Sequence, residues 1–138
     1  MINKYSIAKA LLNQAKQVST DNSYLLIREG QKHESNPNET YVEERVVYGG
    51  DTSVGLSDAS SDFQLGIYQL NIYTPKAEES AKWMGLEIAG VYQTGFHKGL
   101  QLTYENQMLR LRNTTIEPMQ ENDTHYIHIL SAVFSVIN

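Results

Sequence analysis

Apolar residues along the chain follow two rhythms, one helical and one alternating. Tyr5, Ala8, Leu12 and Ala15 recur at spacings of three and four, with Leu11 and Val18 beside them and Lys4, Lys9, Gln14 and Lys16 opposite; this predicts a first helix. The pattern stops at the polar run Ser19-Thr20-Asp21-Asn22. Tyr24-Leu25-Leu26-Ile27, bounded by Gly30, reads as a first strand or as the anchor of a loop. Residues 31–40 hold no apolar side chain and one proline, so they are expected as an exposed, flexible loop. Tyr41 to Tyr48 reads as a strand rich in valine, ended by Gly49-Gly50, and residues 49–62 as a second flexible loop.

Phe63 to Thr74 gives the clearest alternation: Phe63, Leu65 and Ile67 share one face. After Tyr68-Gln69 the apolar phase moves to Leu70 and Ile72, which predicts a bulge or a strand covered on both sides. Pro75 ends it. Ala77 to Thr94 carries Ala81, Met84, Ile88 and Val91 at helical spacing, with Glu78 and Glu79 in the first turn and Gly95 as the stop. Trp83 and Tyr68, Tyr73 and Tyr92 are expected in or at the edge of the core. Gly99 to Tyr104 and Met108 to Thr115 form a hairpin across Glu105-Asn106-Gln107, and Asn113 to Met119 carries on to a polar break. Tyr126 to Ile137 is apolar on both faces, as a central strand is. The order α, β, β, β, α, β, β, β predicts an α+β fold: one mixed or mainly antiparallel sheet packed against two helices.

Composition narrows the function classes. A chain of 138 residues fits one domain spanning 1–138. Its net charge of −5, from 11 basic and 16 acidic side chains with no Lys/Arg run, argues against a nucleic-acid partner. No apolar stretch approaches the ~20 residues that cross a bilayer, and the N-terminus lacks the apolar core of a signal peptide, so no membrane partner is expected and the chain is placed in the cytoplasm. With no cysteine, disulfides, thiolate nucleophiles and Cys-ligated zinc are excluded.

Candidate chemistry is thin. GGDTSVG lacks the closing Gly-Lys-Ser/Thr of a phosphate loop, and no GxSxG elbow occurs. His125 and His128 stand three apart on a strand, hence on opposite faces, and could not share an ion there. Asp51, Asp58 and Asp62 lack the alternation and closing glutamate of a calcium loop. No catalytic residue, metal or cofactor is therefore expected, although a small enzyme or ligand-binding domain stays open as a reading of another class.

Residues 49–62 raise a different question. A stretch with Gly49, Gly50, Gly55, Ser53, Ser57, Ser60 and Ser61 buries little apolar area. Long internal loops are functional or disordered. Without concentrated chemistry, the remaining role is to meet another chain, with Val54 and Leu56 as apolar anchors. The adjoining strand is the candidate edge, where Glu43, Glu44 and Arg45 would set register and discourage wrong pairing.

Several motifs are shared with a known family. The strand Gly66 to Pro75 has the form Gly-x-Tyr-Gln-x-x-x-Tyr-x-Pro, and the second helix is followed by Phe96-His97-Lys98-Gly99. With the leading helix, the YVEERVVYGGDTSVGLSD stretch and the closing hairpin and strand, the whole chain resembles the tail terminator, or minor tail protein, family of long-tailed phages and prophages. The resemblance implies a structural protein forming a hexameric ring on the tail tube. It implies contacts with its own copies, the tail tube protein and head-completion or neck proteins, assembly in the host cytoplasm and a final place in the virion tail. A head–tail connector is the neighbouring alternative. The family carries no catalytic residues. TPKAEES departs from it, lacking the glycine that many relatives carry after the proline, which bears on where the second helix begins.

Overall fold

The computed structural model describes residues 3–34, 36–53 and 62–137. Among them, α1 (Lys4–Asp21) leads into β1 (Leu26–Ile27), β2 (Tyr41–Ser53) and β3 (Asp62–Pro75), followed by α2 (Ala81–Gly95). β4 (Gln101–Tyr104), β5 (Gln107–Ile116), β6 (Gln120–Glu121) and β7 (His125–Ile137) complete the order. The fold is α+β as expected: two helices on a mixed, curled sheet in the order β1-β2-β3-β7-β5-β4, with β6 pairing with β7. Among the described residues only β1 and β2 run parallel; the other pairings are antiparallel.

β7 is the central strand. One side pairs with β3 from Phe63↔Ile137 to Pro75↔His125, and the other is shared by β5 and β6. The register of β3 against β7 is unbroken, so the phase change read at Tyr68-Gln69 is not a bulge in β3. Gly66, Tyr68, Leu70 and Ile72 all face the helices, while Ile67 lies on the helix-free face. The irregularity sits in β2 instead: between Tyr48 and Asp51 the register slips past Gly49-Gly50, and pairing resumes through Ser53↔Asp62. The glycines expected to end the strand are where it bulges, a place that tolerates residues without side chains. Residues 49–53 and 62 of the expected second loop are therefore strand, and residues 54–61 lie outside the described ones.

Side chains between the helices and the sheet form the core: Ile7, Leu11 and Val18 from α1, Ile88, Tyr92 and Phe96 at α2, and Tyr68, Leu70, Leu130 and Phe134 from the strands. Burying each of the larger ones contributes about 1.5–3 kcal/mol. The buried stripe of α1 is Ile7-Leu11-Ala15-Val18, a rotation from the expected one: Tyr5 is exposed, and Ala8 and Leu12 are half-buried. The Asn3 side chain caps α1 by accepting from Ser6 N–H (3.2 Å). The Asn3 N–H donates to Gln107 Oε1 (3.1 Å), Tyr5 packs edge-on against Tyr104, and Tyr48 Oη donates to the Lys4 carbonyl (3.0 Å). One helix end thus touches β2 and β4, strands near opposite ends of the sheet, which shows how far the sheet curls.

α2 begins at Ala81, four residues later than its apolar spacing suggests. Residues 76–80 form turns, Ser80 takes a left-handed conformation, and Glu78 and Glu79 precede the helix instead of occupying its first turn. Gly95 is its last residue, and Phe96 follows at the cap. A Cβ on Gly85 would run into the His128 ring and one on Gly66 into Phe134, so both glycines allow close packing on the sheet. The 31–40 stretch is bridged internally and tied to β7. Glu39 Oε1 lies 2.6 Å from His33 Nε2, and the Glu39 carbonyl accepts from His125 Nε2 (2.8 Å).

Candidate assembly surfaces

The sequence pattern projects Glu43, Glu44 and Arg45 onto alternate faces of β2, and the structure separates them accordingly. Glu44 faces the helices, opposite Leu70, and is buried. Its Oε1 accepts from the Tyr68 hydroxyl (2.6 Å) and its Oε2 from Glu29 N–H (3.1 Å). Burial first, then the Glu44 carboxyl, raises the Tyr68 phenol well above its ordinary value. Glu29 in turn accepts from Val46 N–H (3.0 Å), and Val42 N–H donates to the Leu25 carbonyl (2.9 Å). The β2 edge is therefore closed by its own chain as far as Val46. Of the three charges expected at an interface, Glu44 is committed internally. Val54 and Leu56 lie outside the described residues.

Glu43 and Arg45 stand on the other face, which neither α1 nor α2 covers. Cross-strand register lays this face out in rows: Val47–Ile67–Val133, then Arg45–Gln69–Ser131, then Glu43–Asn71–Ile129, then Tyr41–Tyr73–Ile127. At its lower end Tyr41 stacks on Tyr73 (4.5 Å between ring centres, 6° between planes), and His33 and His125 pack around the pair. Burial and the neighbouring Glu43 carboxyl push the Tyr73 phenol far up. Higher on the face, Arg110 pairs in register with Ser135 and Gln101, and Arg112, at a register shift, donates from Nε to Ser135 Oγ (2.6 Å).

The shared motifs find physical reasons in this arrangement. Gly66 makes room for Phe134, Tyr68 reaches Glu44, Gln69 approaches Ser131, Tyr73 stacks on Tyr41, and Pro75 is the last residue of β3. Phe96 is buried against Tyr68, and its carbonyl accepts from the Thr114 hydroxyl (2.5 Å).

A family model described as phage tail terminator protein matches residues 6–129. The chain belongs to that family. Its members are structural tail components, which places the protein in the tail of a phage particle. Among solved structures, one chain superposes with a TM-score of 0.75 over 99 % of this chain and 96 % of its own, at 14 % identity, a likeness that shows the fold alone. No curated protein matches the sequence.

Within this terminator fold His125 and His128 are packed inside the structure. His125 is buried beside Tyr41 and Tyr73, with Nδ1 2.8 Å from the Thr124 hydroxyl. His128 is buried on the opposite side of β7, against Gly85, and burial lowers its pKa. Among the described residues, no group of three or more His, Cys, Asp or Glu side chains could hold a metal ion, and no helix is long and apolar enough to cross a membrane. Sequence reasoning missed Trp83: expected at the core edge, it is 73 % exposed. The missed signal was its phase on α2, two residues from Ala81 and Gly85, which face the sheet.

Proposed function

We propose that the protein completes the phage tail as a ring of its own copies, a hexamer by family resemblance. The ring caps the tail tube, stops tube growth and presents a surface to the head-completion or neck proteins. The family match over residues 6–129 carries this reading. Assembly takes place in the host cytoplasm, in infected cells or from a prophage.

The expected interface residues enter the proposal unequally. Glu43 and Arg45 lie on the helix-free face, where a neighbour can meet them. Glu44 supports that strand from within. Val54 and Leu56 are carried as apolar anchors between β2 and β3.

Negative-stain microscopy of the purified protein mixed with tail tubes, and separately with filled heads, tests the reading. Caps at one end of headless tubes are expected. Attachment to tailless heads alone would make it a connector instead. A bound small molecule turned over by the isolated chain would favour the enzyme reading.

A further inference from the structure

Trp83 is the most exposed of the large apolar side chains on α2. Tryptophan is the side chain most enriched where interfaces concentrate their binding energy, so a bare indole on a helix suggests a missing partner. Leu86, one turn on, is also exposed, and a Cβ added at Gly90 would meet nothing within 4 Å, so the helix surface is open there. Glu87 lies one turn beyond the Trp83 knob on α2, and Glu78 and Glu79 lie in the turns just before the helix; all three are exposed and without an ion pair among the described residues. The nearby cation, Lys82, lies instead over the Tyr126 ring (5.1 Å).

The helix-free face offers the complement. Gln101, Met108, Leu109, Arg110, Arg112 and Ser135 line a groove of about 240 Å³. Arg112 is fixed by Ser135, while Arg110 has no carboxylate partner among the described residues. Arg45 adds a third guanidinium to the face, and Val47 and Met108 are exposed apolar surface. An indole is well matched to planar guanidinium groups, and carboxylates around it would meet arginines instead of water.

We propose that Trp83 of one copy seats in the Arg110–Arg112 groove of the next. Knob and groove lie on opposite faces of the sheet, so the contact is heterologous. Repeated, it closes into a ring when the rotation between copies divides a full turn. The inference deepens the ring proposed above and rests on it for that closure.

In sedimentation velocity, Trp83→Ala and Arg110→Glu should each weaken assembly by about tenfold or more, the effect of losing an interface anchor. Both side chains are exposed, so thermal melting should match the wild type. Mixed together, the two variants should form a one-to-one dimer and stop, because each keeps the half the other lacks. The chain has no cysteine, so Leu86→Cys with Gln101→Cys supplies a second reading. The oxidised double variant should give a ladder of linked chains, and neither single variant should link to itself.

Unchanged assembly of Trp83→Ala, self-linking of Leu86→Cys, or no ladder from the double variant would overturn the proposal. So would a wild-type chain that stays monomeric both alone and on tail tubes. If Trp83→Ala caps tubes as well as the wild type, the docking is wrong and tail completion stands. If even the wild type fails to cap tubes, tail completion falls with it.

Discussion

Glu44→Ala tests whether the charge in the middle of β2 supports the fold from within. The substitution removes the acceptor that the Tyr68 hydroxyl finds among the described residues, on a residue that is 1 % exposed. A buried hydroxyl left without a partner costs about 1–3 kcal/mol. The second bond lost, from Glu29 N–H, lies at the surface where water replaces it, so it adds little. The expected loss is therefore about 2 kcal/mol, and at roughly 4 °C per kcal/mol for a chain of this size Tm should fall by about 8 °C. Glu44→Gln keeps an acceptor for Tyr68 and should lose about half as much. In a double-mutant cycle, Tyr68→Phe combined with Glu44→Ala should cost less than the sum of the two, because the orphaned hydroxyl is gone. Urea and thermal unfolding of the four proteins measure this. A Glu44→Ala melt within about 1 °C of the wild type, or a coupling near zero, would refute the reasoning. If the fall is seen, reversing Glu44 together with Arg45 would mix a loss of stability with any effect on an interface. Arg45→Glu alone is the clean probe.

Two glycines on α2 should respond in opposite directions. Gly85→Ala forces a methyl group into the His128 ring and should destabilise by about 1–3 kcal/mol despite the better helix propensity, whereas Gly90→Ala meets nothing within 4 Å and should stabilise by about 0.5–1 kcal/mol; denaturant midpoints decide both. His128 should make stability depend on acid. Burial lowers its native pKa below the ordinary 6.5, so the unfolded chain binds more protons; its contribution is complete above about pH 6.5 and is lost as pH falls through that value toward the native pKa. Urea midpoints at about pH 7.5 and about pH 5 should differ less in His128→Phe than in the wild type.

Much of the architecture could be read from the alternation of apolar residues, because the sheet buries one face and the strands report it. β7 is legible as the centre since both its faces are apolar, and the opposite placement of His125 and His128 follows from strand geometry alone. Element ends were harder to read. Residues 77–80 look helical by composition, yet Ser80 is left-handed and the helix waits for Ala81. Gly49-Gly50 looks like a stop and is a bulge, because β3 offers pairing partners beyond it.

The candidate surface was only half legible. Alternation put Glu43 and Arg45 on one face and Glu44 on the other, but that the buried side would be Glu44's depended on Tyr68, 24 residues away, supplying a hydroxyl. Trp83 was read as core or core edge from residue type, when its helical phase relative to Ala81 and Gly85 pointed outward. The groove at Arg110 and Arg112 was invisible, since it depends on a register shift between β5 and β7.

The most direct measurement of the central claim is the length of tail tubes polymerised from tube protein as this chain is added, followed by electron microscopy over time. Tail completion predicts that growth halts, with one ring-shaped cap on each arrested tube and shorter tubes at higher dose. Tubes that lengthen at the same rate and bear no cap would contradict it.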